Sequence, residues 1–469
     1  MNKSNKKLKS NIIYSGLFQI LFFLAPIITT PYVARIFLPE QLGIYATTFS
    51  LATLFLQLAN FGIPIYGVRV IAQSTDNNRD SKFISLFFMQ IMMTIITFIL
   101  YLGMVFLFFD NKTYYVFQGL LILVSIFDVS WFYIGIEEIK KTIFRNILSK
   151  IITILLILTF VNSRDDFILY ILINITGVLI GNITMILQLP QYLSINNMSI
   201  RFSRAMFISS LGLCIPQLME TFKNTVSRSL LVFFSSYAAV GYFDQGTKII
   251  VMINGIIFAA SNALLPRLSS LVKDKKALEL NKIINIFLRV NTFFSVFLIS
   301  GVINVAEYFV PIFFGDGYEN VVAVMIITSF SILLTSSSYF FGKGVLIAYS
   351  LDKFYRRTVF YSMITIGISN LIFAYFFAEL GASFSLIISS AMQLSMSLYY
   401  LRKVVEVKKV IWSFLTALTL IFFNFIIVNY VKDSIMSSSD MTNLLVVGFL
   451  SVMFNFISIL FFKLVSRKF

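Results

Sequence analysis

Fourteen stretches of this chain are apolar over the roughly 20 residues that an α-helix needs to cross the hydrocarbon core of a bilayer. They run over 10–36, 43–68, 83–109, 114–135, 142–162, 167–190, 205–229, 240–265, 283–309, 321–347, 357–378, 381–401, 409–431 and 442–462. The connections between them are short, at most about twenty residues, which leaves no room for a water-soluble domain. With 58% apolar and 12% charged residues and a mean hydropathy of +0.88, the 469-residue chain reads as an all-α integral membrane protein. The basic segment MNKSNKKLKS leads into an apolar run too long for a signal-peptide core, so the first span is expected to be retained.

A net charge of +16 on so apolar a chain would suggest nucleic acid in a soluble domain. Here its distribution gives a different meaning. Short cytoplasmic loops retain Lys and Arg. With the N-terminus inside, 29 of the 37 basic residues fall on the ends and loops of one side, among them Lys140, Lys141, Arg267, Lys276, Arg402 and Lys409. An odd error in the span count would scramble that alternation. The expectation is therefore a multi-pass protein with fourteen helices and both termini in the cytoplasm, twelve helices being the alternative, and no nucleic-acid partner. The absence of histidine and the single Cys214 exclude disulfide frameworks, zinc sites and histidine-based catalysis.

Two regions read alike. The first span carries Pro26 and Pro31 and ends at Arg35; the chain re-enters at Gly43-Ile44-Tyr45, with Pro64 and Arg69 at the far end of the second span. The seventh carries Pro216 and ends at Arg228; the chain re-enters at Gly241-Tyr242, with Pro266 and Arg267 at the far end of the eighth. An even number of spans separates the copies, so both have one orientation, as in parallel-repeat transporters. This gives two six-helix lobes related by a parallel pseudo-two-fold repeat, 1–200 and 201–405, and an appended helix pair, 406–469. The same features also arise wherever Gly, Pro and Arg gather at membrane helix ends.

Ionisable side chains within spans are costly and mark functional positions. They are Asp128 in the fourth span, Glu220, Lys223 and Arg228 in the seventh, Asp244 and Lys248 in the eighth and Lys343 in the tenth, with Arg35 closing the first. Gln217, Glu220, Asn224 and Arg228 share an arc of roughly 80° on one helix face. Thr53, Gln57 and Asn60 form a shorter polar stripe on the second span. Glu220 with Lys223 and Asp244 with Lys248 have the spacing of structural ion pairs, and Arg35 and Arg228 that of snorkelling helix ends. Asp128, beside Ser130 and Trp131, reads as a gate or packing residue. Lys343 lies between Gly342 and Gly344, which give it no anionic neighbour. Arg35, Lys223, Arg228, Lys248 and Lys343 outnumber Glu220 and Asp244, so a cavity lined by them would favour an anionic cargo. Gln57, Asn60, Gln217 and Asn224 would be its polar lining.

The runs PYVARIFLPEQLGIYATTFS, GIPIYGVRVIAQ, FDVSWFYIGIEEIKKTIFRNI, VSRSLLVFFSSYAAVGYFDQGTKI, NALLPRLSSL and FFGDGYENVVAVM, in this order and spacing, resemble the Wzx-type oligosaccharide flippases of the multidrug/oligosaccharidyl-lipid/polysaccharide exporter superfamily. The resemblance covers essentially the whole chain. It implies a two-lobed bundle that alternates between inward-open and outward-open forms. The implied cargo is an undecaprenyl-pyrophosphate-linked oligosaccharide, moved from the cytoplasmic to the outer leaflet of the bacterial inner membrane for capsule, O-antigen or a related polysaccharide. The chain is similar also to lipid II flippases, whose pattern includes an essential arginine near the outer end of the first helix; Arg35 stands at the matching position.

Three rival functions remain, of which sequence separates the first two and only poorly the third. A drug exporter on the same scaffold calls for a negative cavity and usually has twelve helices. A membrane polysaccharide polymerase needs catalytic groups gathered in a large outer loop, and none of the loops is large. A lipid II flippase differs in the glycan carried. No cofactor is expected. The expected driving force is the membrane potential or a proton or sodium gradient, with Glu220 and Asp244 the carboxylates that could couple to an ion. Besides the cargo, the expected partners are membrane lipids and, through the resemblance, a polysaccharide polymerase and a chain-length regulator.

Overall fold

The computed structural model describes residues 25–193, 203–435 and 440–466, which are helical with no strand among them. By its contacts the chain divides into two units, residues 1–228 and 229–469. In the first, a helix over 25–36 (α1) is followed by α2 (Pro39–Asn60), α3 (Ile63–Ala72), α4 (Asp76–Phe108), α5 (Lys112–Val124), α6 (Ser130–Gly135), α7 (Ile139–Phe160) and α8 (Phe167–Ile186). Helix α9 (Arg204–Phe234) contributes its residues up to Arg228. The second unit holds α10 (Tyr237–Lys273), α11 (Ala277–Phe314), α12 (Asn320–Ser329), α13 (Ser331–Tyr339) with a π-helical continuation Phe340–Leu346, α14 (Asp352–Leu401), α15 (Val407–Ile435) and α16 (Asp440–Ser466).

Eleven helices among the described residues are long and apolar enough to span a membrane, and α12 with α13 and its continuation, bent by 42°, make a twelfth. Helix α14 stands for two of the predicted spans. Fifty residues of helix would reach about 75 Å, more than twice the hydrocarbon thickness. Its backbone leaves helical angles at Ala378, with φ 46° and ψ −125°. The Ser389 hydroxyl donates to the Ser362 carbonyl at 2.9 Å, which joins two antiparallel arms. A Cβ on Gly381 would fall 1.9 Å from the Phe373 carbonyl oxygen, so this tight turn excludes any side chain there. The predicted spans 357–378 and 381–401 are the arms of this hairpin. Of the predicted first span 10–36, only 25–36 lies among the described residues.

Besides the tenth span, 321–347, which is the bent pair α12 and α13, the structure corrects two spans that the sequence reads as continuous. The second begins at Pro39 and breaks at Phe61 and Gly62, both with positive φ, before Pro64 near the start of α3. The fourth breaks over 125–129, so Asp128 sits in an extended link between α5 and α6 rather than inside a helix. Apolar averages hide both interruptions because the broken segments remain hydrophobic. In the resembling copy α10 runs unbroken through Pro266, where no glycine with positive φ precedes the proline. The two copies agree better at their other ends, where two-residue links, 37–38 and 235–236, join α1 to α2 and α9 to α10.

Because lipid offers helices no hydrophobic drive to associate, close packing and interhelical hydrogen bonds hold them together. Helices α15 and α16 pack on α11 around buried polar groups: Asn304 Nδ2 donates to Asn424 Oδ1 at 2.8 Å, Asn424 Nδ2 to the Ser451 carbonyl at 3.1 Å and Asn455 Nδ2 to Ser300 Oγ at 2.7 Å. Helices α7 and α8 meet on small residues. Ser149 Oγ donates to the Gly177 carbonyl at 2.6 Å, and a Cβ on Gly177 would lie 1.9 Å from Thr153 Oγ1. Large exposed apolar residues such as Ile99, Phe106, Leu107 and Phe108 on α4 cover the outside, as a lipid-facing surface requires.

Gly177→Leu is expected to force α7 and α8 apart and to cost about 1–3 kcal/mol, the usual penalty for overpacking. Gly103→Leu, at a position where a Cβ meets nothing within 4 Å, is its control. Thermal unfolding in detergent should show a clear loss for the first and little change for the second.

Candidate functional site

The twelve residues singled out from the sequence divide between the units. Arg35, Gln57, Asn60, Asp128, Gln217, Glu220, Lys223, Asn224 and Arg228 belong to the first, and Asp244, Lys248 and Lys343 to the second.

In the first unit the polar face of α9 lies against α2. The break after Asn60 makes this approach possible: Gly62 has φ +75°, and a Cβ there would meet the Ser210 carbonyl oxygen of α9 at 2.2 Å. Ser210 Oγ in turn donates to the Phe61 carbonyl at 2.6 Å, satisfying a group the break sets free. Further along, Gln57 Nε2 donates to Gln217 Oε1 and Thr225 Oγ1 donates to the Ser50 carbonyl at 2.9 Å. The polar stripes read separately on the two spans therefore meet through Gln57 and Gln217. Asn60 makes no side-chain hydrogen bond with them.

The charges of α9 are arranged along its length. Lys223 Nζ lies 3.1 Å from Glu220 Oε2, with the lysine largely covered and 45% of the Glu220 side chain exposed. One turn on, Arg228 Nη1 donates to the Asn224 carbonyl at 3.1 Å. Arg35, at the end of α1, is exposed. On α10 the other expected pair forms, with Lys248 Nζ 3.4 Å from Asp244 Oδ2; Asp244 is buried and Lys248 is partly exposed. Lys248 also donates to Gln245 Oε1 at 3.3 Å.

Lys343 is held differently. It is the one exposed residue of the π-helical segment Phe340–Leu346, whose other six residues are buried. Widened turns of this kind recur at functional sites because they re-aim side chains within a helix. Gly342 lets the segment pack tightly, since a Cβ there would lie 3.3 Å from the Tyr355 ring. Among the described residues Lys343 has no carboxylate partner; its ammonium lies 5.2 Å from the centre of the Tyr339 ring, in cation–π range. Tyr339 stacks on Phe258 with centroids 4.2 Å apart and donates its hydroxyl to Asn262 Oδ1 at 2.9 Å. A cation, stacked aromatic rings and an amide thus share one surface. Sequence reading missed Phe258, Asn262 and Tyr339. Their i,i+4 spacings, Phe258 to Asn262 and Tyr339 to Lys343, were available but inconspicuous among 53 Phe and 22 Tyr.

Asp128 lies in a separate network. Its Oδ1 accepts from Arg145 Nη1 at 2.8 Å and from the Ser130 backbone N–H at 3.0 Å. Arg145 also donates to Asn182 Oδ1 at 2.9 Å. Gln90 Nε2 donates to the Ser125 and Asp128 carbonyls at 2.6 and 3.1 Å, while Gln90 Oε1 accepts from the Trp131 indole at 2.9 Å. These contacts satisfy the backbone groups exposed by the break between α5 and α6 and tie that break to α4, α7 and α8. The Arg145 partnership, seventeen residues away, has no local sequence signature.

Residues 8–272 match the family described as "Polysaccharide biosynthesis protein". A protein of Escherichia coli (strain K12) named "Putative O-antigen transporter" is 24% identical over 417 residues, 86% of this chain and 98% of that protein. Among solved structures, the lipid II flippase MurJ in an inward closed conformation aligns with a TM-score of 0.74 at 15% identity, over 97% of this chain and 99% of that one. An inward-facing multidrug-resistance transporter of the MATE family aligns with a TM-score of 0.64 at 12% identity, over 84% and 97%. The two structural likenesses concern the fold alone, a bundle of membrane-spanning helices.

The Asp128–Arg145 bridge generates a stability prediction. Asp128→Ala, Arg145→Ala and the double variant should show a coupling energy of about 0.5–3 kcal/mol in thermal unfolding, as for residues in one ion-pair network. Strict additivity would mean that the bridge does not hold the break between α5 and α6.

Proposed function

Since the chain belongs to the polysaccharide biosynthesis protein family, we propose that it is a flippase for undecaprenyl-pyrophosphate-linked oligosaccharide, carrying the unit from the cytoplasmic to the outer leaflet by alternating access. The chain is a multi-pass membrane transporter and not an enzyme. In this reading it lies in the bacterial cytoplasmic membrane with both termini inside, and the lobes 1–200 and 201–405 alternate while 406–469 forms an appended pair. The delivered units feed capsule, O-antigen or related polysaccharide synthesis, with a polymerase and a chain-length regulator as later partners. The E. coli relative, aligned over nearly its whole length, supports a saccharide cargo.

The observation that carries the reading furthest is Lys343. A lysine with no anionic partner among the described residues, beside stacked aromatic rings and an amide, offers a point charge for a phosphate and flat faces for sugar rings. Arg35, Lys223, Arg228 and Lys248 are the further cations of the proposed path, with Gln57, Asn60, Gln217 and Asn224 as polar lining. Arginine suits bidentate contact with phosphate. The polyprenyl tail stays in lipid throughout. With the cell interior negative, each negative charge moved outward gains about 2.3 kcal/mol per 100 mV. Glu220 and Asp244 each face a lysine on their own helix, so we assign the drive to the membrane potential rather than to these carboxylates.

In cells lacking the chromosomal copy, Lys343→Ala is expected to lower surface polysaccharide by at least about tenfold and to leave lipid-linked units in the inner leaflet, while Lys343→Arg retains most function. Quantifying both pools by glycan labelling checks this. Normal polysaccharide with Lys343→Ala, at equal protein level, would remove Lys343 from the path. Glu220→Gln and Asp244→Asn are expected to keep potential-driven transfer in vesicles carrying a potassium diffusion potential; loss of transfer in either variant would instead implicate that carboxylate in ion coupling.

A further inference from the structure

A second basic site lies apart from Lys343 and the two lysine–carboxylate pairs. Between α11 and α15 the structure forms a groove of about 300 Å³ whose walls include Asn285, Arg289, Phe293, Lys409, Trp412 and Ser413. Its floor is closed by a hydrogen bond between Thr292 and Ser413; because Thr292 already donates to the Leu288 carbonyl at 2.7 Å, Ser413 is the donor across the helices. Two cations stand at this groove. Arg289 is exposed and has no carboxylate partner among the described residues. Lys409 meets Glu406 at 2.8 Å, but both side chains are at least half exposed, so that pair is weak and readily exchanged.

The surroundings indicate the kind of ligand. Trp412, one of two tryptophans in the chain, is 69% exposed one turn beyond Lys409, the placement of an interfacial anchor. From the groove, exposed Ile286 and Val290 on α11 and Ile411, Leu415 and Leu418 on α15 offer apolar surface to the bilayer. A groove that combines amide and hydroxyl side chains and two cations with an interfacial tryptophan and adjoining lipid-facing surface is complementary to an anionic glycerophospholipid. Basic pockets between membrane helices on the cytoplasmic side bind such headgroups.

We infer that the groove between α11 and α15 binds an anionic phospholipid of the inner leaflet, with its phosphodiester held between Arg289 and Lys409 and its acyl chains lying along the exposed faces of both helices. The leaflet assignment rests on the orientation proposed above, whereas the binding does not depend on what the protein transports. The lipid bridges the appended pair to the helix on which that pair packs.

Tryptophan quenching by brominated lipid tests this on the full chain in nanodiscs, because Trp412 is exposed whereas Trp131 is 1% exposed. A Trp412→Phe variant supplies the background. Phosphatidylglycerol brominated in its acyl chains is expected to associate at least about fivefold more strongly than brominated phosphatidylcholine, the preference that even one cation at a membrane surface gives. Arg289→Gln with Lys409→Gln should bring that ratio close to one, and Arg402→Gln, outside the groove, should leave it unchanged. Equal quenching by both lipids in the unmodified chain, or a preference that survives the double substitution, overturns the inference. So does displacement by soluble glycerophosphoglycerol, which would indicate a phosphate site without a lipid requirement, or stronger quenching by a brominated polyprenyl phosphate, which would assign the groove to the cargo. Loss of flippase activity with an intact lipid preference would touch only the functional reading, so the two can fail independently.

Discussion

The hydrocarbon core of a membrane supplies no water to a polar group, and this condition governs both the helices and their interruptions. The breaks in the second and fourth predicted spans carry their own compensation. At Phe61 and Gly62 the freed carbonyl of Phe61 accepts the Ser210 hydroxyl. Across 125–129, Gln90 reaches the carbonyls of Ser125 and Asp128. At Ala378 the chain turns so tightly that Gly381 tolerates no Cβ, and farther along the arms of α14 Ser389 bonds across to Ser362. Polar side chains that a hydropathy profile treats as interruptions thus make the irregular backbone tolerable.

The same condition sorts the charges. Most basic residues lie on the connections that the orientation rule assigns to one side. Lys223 is engaged with Glu220, Lys248 with Asp244, and Arg145 with Asp128. Lys343 stands apart, since an aromatic ring rather than a carboxylate lies beside its ammonium. A cation kept this way retains attraction for an incoming anion, whereas one locked to a carboxylate must exchange partners first. That difference links the local geometry of the π-helical segment to the proposed anionic saccharide cargo.

Much of the fold was legible because apolar length is a one-dimensional signal. The pairs Glu220–Lys223 and Asp244–Lys248 were legible for a similar reason, their partners being a helical turn apart. Spans two and four concealed their breaks because Phe61, Ile63, Phe127, Val129 and Trp131 keep the local average apolar. Pro64 marked the first break, although a proline alone does not distinguish it from the unbroken course of α10 through Pro266. The partnership of Asp128 with Arg145, and the gathering of Phe258, Asn262 and Tyr339 around Lys343, are products of tertiary packing. The aromatic surface beside the cation could not be anticipated from sequence.

The most direct measurement is transfer by the purified protein. In vesicles containing a fluorescent polyprenyl-pyrophosphate oligosaccharide, the fraction protected from an added membrane-impermeant quencher reports movement between leaflets. Lipid II and a cationic dye serve as competing cargoes. The account predicts rapid exchange of the oligosaccharide lipid, slow exchange of the other two, and loss of exchange when Arg35, Arg228 and Lys343 are all changed to Ala. Equal exchange by that triple variant, or preferred transport of lipid II or the dye, would contradict it.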